Sequence, residues 1–325
     1  MTATASERMG HARLILQRFL GAGRPIGAKA PALAALQKSP VGWPVTRDAL
    51  ASQIDARLRG VSMPRQRGTS YCGPAAFLYC ILKDRPDIYV SYAVALWQTG
   101  HYAFKTSAGH VEVESADRTK ASLAAIAGRR KGKEQISDLD WMTMAALSAS
   151  TRPLSAMRRG AGPDDVGLSI TYPWILKQWF QAAGSRPQVD SMGLGALKSG
   201  LFMFANLMRF WRSHWLVIQI DSSLVTTGAP NTFEQRHWVV VNPNFQPRVR
   251  RGGTGPWVAM GDVMSDFWKV PQEEASRAME GAHLADWPME LSLVTWGKED
   301  FRTRMTHLGD VPARFYGGYA FPHFR

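Results

Sequence analysis

Apolar and polar positions change rhythm along this chain. In the earlier part, apolar residues recur at three- and four-residue spacing, the period of a helix with one buried face. Leu50, Ile54 and Leu58 follow that spacing behind Thr46, a good capping residue, and predict a helix over 45–60. Residues 73–83 are apolar almost throughout, with Pro74 near the first turn, and predict a buried helix. Residues 90–98 continue helical, Leu139 to Leu147 forms the core-like part of a mixed stretch, and Pro173 opens a helix over 171–183. Short continuous apolar runs then take over. Trp215 to Ile220, His237 to Val241 and Leu291 to Thr295 each predict a buried strand. Helices first and strands later predict an α+β fold.

Ahead of these elements, residues 1–44 carry one acidic residue, Glu7, against several arginines and lysines. Arg8, Arg13 and Arg18 recur with apolar residues between them, so residues 6–20 predict a short basic amphipathic helix. Gly21, Gly23, Pro25, Gly27 and Pro31 then break the pattern. This division makes 1–44 a basic arm or docking segment and 45–325 the main domain. No run of eighteen apolar residues is present, so no transmembrane segment is expected. Leu14-Ile15-Leu16 is cut short by Gln17 and Arg18, unlike the core of a cleaved secretory leader.

Composition adds bounds. The 325 residues are 45% hydrophobic and 20% charged, enough for a substantial core. Twelve tryptophans place indoles in the core or around a binding site. A net charge of +13 favours anionic neighbours without defining a site. The two cysteines, Cys72 and Cys80, fall in one predicted helix about 12 Å apart, too far for a disulfide, so both thiols are free. Free thiols suit folding in a reducing compartment.

The candidate chemistry centres on Gln66-Arg67-Gly68-Thr69-Ser70-Tyr71-Cys72-Gly73-Pro74-Ala75-Ala76. A helix start favours a thiolate, through its unpaired N–H groups and its dipole. Gly73 lets backbone lie close to a substrate, and Pro74 lacks an N–H that the first turn leaves unpaired anyway. Cys72 stands before the apolar run, whereas Cys80 stands inside it, where a cysteine is ordinarily a small core residue. The remote partner is His237, opening the apolar run Trp238-Val239-Val240-Val241. An imidazole can take the thiol proton.

These segments resemble the papain-like cysteine peptidases. The Cys-Gly-Pro-Ala-Ala form at 72–76 is similar to the peptidase domains of bacteriocin exporters, and the chain also resembles papain-like toxin domains of bacterial secretion systems. The resemblance spans roughly residues 60–300 and is specific at the cysteine and histidine segments. It implies a helical half carrying the nucleophile Cys72 and an antiparallel β half carrying His237. Gln66 takes the place of an oxyanion-hole donor six residues before the cysteine. Trp296-Gly297 stands for the Trp-Gly pair after the histidine strand. The chain departs from papain itself in having no tryptophan after Cys72 and no asparagine before Trp296, where Val294 and Thr295 stand.

The resemblance further implies a hydrolase of peptide or amide bonds, a bacterial effector toxin. It would be made in the cytoplasm and delivered to a target cell without a cleaved leader. Its substrate would be a protein or a peptidoglycan peptide, its partners a cognate immunity protein and a secretion-system component, and no cofactor is implied. Two rivals share the fold: a glutamine deamidase or acyltransferase using the same residues, and an inert papain-like binding module. A nucleic-acid binder is a weaker alternative.

The histidine has a rival in His214, which also precedes an apolar run; strand order and the resemblance favour His237. His101, His110, His283, His307 and His323 have no supporting context. The group that should orient His237 is left open among Asn242, Asp262 and Thr295. In an extended chain Asn242 lies roughly 16 Å from His237 and would need a sharp turn. Gly252-Gly253-Thr254-Gly255-Pro256 reads as a turn, not a phosphate loop. No zinc-ligand spacing is present. Asp164-Asp165 reads as a solvated pair. Arg129 to Lys133 and Arg248 to Arg251 are basic runs without the interleaved aromatics of a nucleic-acid platform.

Overall fold

The helical and strand-rich parts of the chain form two compact units in the computed structural model, residues 1–184 with 324–325 and residues 185–323. The structure describes residues 3–22, 36–66, 69–115, 136–151, 171–192, 200–225, 236–295, 297–303 and 306–325.

In the first unit, α1 (Ala5–Gly21) starts at a capping box in which Thr4 and Glu7 satisfy each other's backbone N–H groups. Its Ala12, Leu16 and Phe19 are buried, and the Phe19 ring meets Trp97 of α4 (Pro86–Thr99) edge-on at 5.2 Å. The expected arm over 1–44 therefore contributes a packed helix to this unit. Between them lies α2 (Arg47–Leu58), capped as predicted by Thr46, whose hydroxyl accepts the Ala49 N–H at 3.2 Å. The predicted buried helix is α3 (Cys72–Asp84), in which Phe77, Leu78, Cys80 and Ile81 have no exposure. Burying a large apolar side chain this fully contributes about 1.5–3 kcal/mol.

A hairpin follows that the sequence reading did not anticipate, β1 (His101–Thr106) paired antiparallel with β2 (Gly109–Glu114). Its Phe104, Val111 and Val113 face the core. Further along the unit lie α5 (Asp138–Ser150) and α6 (Pro173–Ala182). Phe77 is the hub, with the rings of Phe104, Trp179, Phe180 and Phe324 all within 6.5 Å.

The second unit holds the predicted strands. β3 (Val189–Asp190), β4 (His214–Asp221), β5 (Arg236–Val241), β9 (Ser292–Thr295), β10 (Lys298–Arg302) and β11 (Phe315–Pro322) form one antiparallel sheet in the order β10-β9-β5-β4-β11-β3. Ile218, Ile220, Val239, Val241 and Leu293 belong to an apolar cluster with Phe204 and Met208 of α7 (Leu201–Met208) and Met279 of α9 (Gln272–Gly281). A small sheet, β7-β6-β8, joins β6 (Arg248–Arg250), β7 (Trp257–Ala259) and β8 (Met289–Glu290). The unit also holds the short helices α8 (Met260–Met264) and α10 (Val311–Arg314). Helix and antiparallel sheet together fit the α+β class. Among the described residues, no helix is long and apolar enough to cross a membrane.

Candidate active site

Tyr71 is the N-cap of α3 and Cys72 its first residue, as the sequence predicts. Tyr71 is buried and its ring meets Trp141 edge-on at 5.7 Å, which fixes where the helix begins. The Ala75 N–H closes the first turn on the Tyr71 carbonyl at 2.9 Å. Cys72 and Gly73 bring N–H groups to a turn with no intrahelical acceptors for them, and Pro74 brings none. Gly73 is required by its neighbour: a methyl built on it would lie 2.6 Å from Thr171 Cγ2. That Thr171 forms a wall beside the helix start was not legible in the sequence. Cys80, one helix face deeper, has no exposure, and burial pushes its thiol pKa well above the usual value. Neither Cys72 nor Cys80 is in a disulfide, as expected.

Gln66 sits upstream in the loop after α2 and is itself buried. Its carbonyl accepts the Thr69 N–H at 3.2 Å and the Thr69 hydroxyl at 2.6 Å. A buried ion pair anchors the start of this loop. Arg57 Nη2 lies 2.6 Å from Asp140 Oδ2, with side-chain exposures of 3% and 1%. Arg57 Nη1 donates to the Met63 carbonyl, and the backbone N–H of Arg65 donates to the Asp140 carboxylate. Burial pushes the Asp140 carboxyl up. It also works against the Arg57 charge, yet the adjacent carboxylate holds the guanidinium above its usual value. Asp140 is in turn set by Ser137, the N-cap of α5, whose hydroxyl donates to Oδ2 at 2.8 Å. Ser137 and Asp140 have the spacing of a helix-start box, a signal the sequence did carry.

In the second unit, His237 is the second residue of β5 and lies directly across from Ile220 of β4. It shares a sheet face with Val239 and Val241, which belong to the apolar cluster. Only 5% of it is exposed, and desolvation lowers its pKa to about 4. The ring is therefore neutral at ordinary pH. Its Nε2 lies 2.6 Å from Thr295 Oγ1. Pairing of Val240 with Val294 sets this meeting, because the register continued by one residue puts Thr295 opposite Val239, diagonal to His237 on the same face.

Of the three candidate orienters, Thr295 is thus the one set against the imidazole. Asn242 instead donates to Ser292 Oγ at 3.0 Å and accepts the Asn244 N–H at 2.9 Å, shaping the turn after β5. Asp262 lies on α8, lining a pocket with Arg209 and Arg212. The Trp296 half of the expected Trp-Gly pair lies outside the described residues, while Gly297 takes the left-handed turn between β9 and β10 with φ of 73°.

His214 is separated from His237 along the sheet. It begins β4, six residues before the position that faces His237, about 20 Å along the strand. Its ring nitrogens are engaged by Ser213 Oγ and Gln188 Oε1, each at 2.7 Å, and burial lowers its pKa. The basic run at 248–251 gains its aromatics from the fold: Arg248 and Arg250 stack on Trp257, and Arg302 on Phe245. Glu290 pairs with Arg248 at 2.6 Å, so part of that charge is neutralised locally. The run 129–133 and the Asp164-Asp165 pair lie outside the described residues.

No family model, curated protein or solved structure matches the chain.

Proposed function

We propose that this protein is a cysteine hydrolase that cleaves a peptide or amide bond, with a papain-like division of labour between Cys72 and His237. The observation that carries the reading is the orientation of His237, whose Nε2 is held by Thr295 Oγ1 at 2.6 Å. A catalytic imidazole needs a partner that fixes its ring, and Thr295 supplies one. The start of α3 supports the nucleophile, with Cys72 at its first residue and Gly73 beside it.

In this mechanism Cys72 Sγ bonds to the substrate carbonyl carbon while its proton passes to His237 Nδ1. The carbonyl π electrons move onto oxygen. The Cys72 N–H and the Gln66 side-chain amide donate to that oxyanion. The C–N bond then breaks, and the His237 proton goes to the leaving amine. Water attacks the resulting thioester with its proton taken by His237. The C–S bond breaks, the acid product leaves, and His237 returns its proton to Cys72 Sγ. The Arg57–Asp140 pair serves this chemistry by anchoring the loop that carries Gln66.

The effector setting and a cognate immunity protein come from the resemblance alone and belong to the same proposal. The test is growth of bacteria expressing wild type or Cys72→Ala, in cytoplasm and in periplasm, with mass spectrometry of the target-cell proteins and cell-wall peptides. The reading expects growth arrest and new chain ends with wild type only. Equal toxicity of Cys72→Ala removes the nucleophile. A gain of deamidated glutamine without chain scission replaces hydrolysis by deamidation.

A further inference from the structure

An exposed tryptophan lies three residues after Thr171, which abuts the residue following the proposed nucleophile. Trp174 is 59% exposed. It lies in the first turn of α6, whose Ile175, Leu176, Trp179 and Phe180 already fill the buried face. Isolated exposed apolar residues are ordinary, but this one is organised. Its indole stacks on the Tyr172 ring with centroids 4.5 Å apart and planes 12° from parallel. Pro173, between them, fixes the backbone at the helix start. The stack covers one indole face and leaves an aromatic ledge with little conformational freedom to lose on binding.

The position of this ledge gives it a meaning. Thr171 abuts Gly73, the residue after Cys72. Tyr172 is the next residue after Thr171, and Trp174 follows within about 10 Å of chain even if extended. Nucleophile, glycine, threonine wall and aromatic ledge all belong to the first unit.

We infer that Trp174, supported by Tyr172, is a binding subsite for an aromatic or bulky aliphatic side chain of the peptide substrate, within one or two residues of the bond that Cys72 attacks. The inference rests on the hydrolase reading and deepens it by naming the substrate class. Stacking against a preformed aromatic surface rewards planar and branched apolar groups and gives nothing to a small or charged one. Binding energy taken up beside the reacting bond also positions that bond for attack. Trp174 then sets specificity and takes no part in the proton transfers.

The test separates binding from turnover. Fluorescein-labelled peptides that differ only in one residue, phenylalanine, leucine, alanine or glutamate, are titrated by anisotropy against Cys72→Ala, which cannot consume them. The same titration is run on Cys72→Ala carrying Trp174→Ala or Trp174→Phe, with circular dichroism showing that each is folded. The expected result is a preference for phenylalanine and leucine over alanine of about ten-fold or more, lost with Trp174→Ala and retained with Trp174→Phe. In the wild-type background the same selectivity should appear in kcat/KM on the matching fluorogenic amides.

Equal binding of all four peptides overturns the inference. So does a preference that survives Trp174→Ala, or a uniform loss across the series, which would mark a structural role. Selective binding in Cys72→Ala, with the bound peptide left uncut by wild type, supports the subsite and counts against the hydrolase reading alone.

Discussion

The imidazole of His237 is held at Nε2 by the Thr295 hydroxyl, at 2.6 Å. Removing the Thr295 hydroxyl as Thr295→Val keeps the volume but frees the ring to rotate. We expect kcat to fall about 10- to 100-fold with KM little changed, and Thr295→Ser to keep most of the activity; steady-state kinetics on one amide substrate read both. A second consequence is thermodynamic. The unfolded chain takes a proton on this histidine below about 6.5, whereas the folded chain resists it until about 4. Stability should therefore fall as pH drops from about 6.5 to about 4, by about 3 kcal/mol from this residue, and level off below. Urea melts of wild type against His237→Gln should show that slope reduced in the variant. An unchanged slope would assign the acid loss elsewhere. At this scale Cys72 and His237 stand out as candidates because each carries a reactive group at the edge of an apolar run. Thr295 was legible only as one of three, because strand register is set by pairing and not by the local sequence.

At the scale of elements, the start of α3 depends on a close approach. Gly73→Ala would drive a methyl into Thr171, and overpacking of this kind costs about 1–3 kcal/mol. Thr171→Gly should recover part of that loss when the two are combined, so a double-mutant cycle in thermal melts should show coupling above about 0.5 kcal/mol. Additive losses would mean that the two residues do not share the strain. Helices α2 to α6 were readable from spacing, caps and prolines. The hairpin β1–β2 was missed although Val111 and Val113 alternate with Glu112 and Glu114, because six-residue strands inside a helical region are easily overlooked. Strand β11 was missed for a different reason. Gly317 and Gly318 interrupt its apolar run, yet side chains there would collide with the Ser191 and Val217 carbonyls, so the glycines are what let this strand pair with β4 on one side and β3 on the other.

At the scale of the whole chain, the sequence reading divides at 44/45 and takes 45–325 as one domain, whereas the structure separates residues 1–184 with 324–325 from 185–323; the boundary at 184/185 carries no sharp compositional signal. The first forty-four residues looked like an appendage because they are basic and broken by glycine and proline. The part that is described instead lays Phe19 on Trp97, with Arg47 over both rings. Likewise the basic run at 248–251 looked unaccompanied in sequence, and its aromatics came from Phe245 and from the strand Trp257–Ala259. The proposed chemistry makes its largest demand at this scale, since it asks residues of two units to act as one. The most direct measurement is the rate at which iodoacetamide alkylates Cys72, followed by peptide mass spectrometry at pH 7 in wild type and in folded His237→Ala, with Cys80 as the internal reference. The account predicts that Cys72 reacts far faster than Cys80, and that His237→Ala slows it about ten-fold or more. A Cys72 rate that ignores the loss of His237 would contradict it.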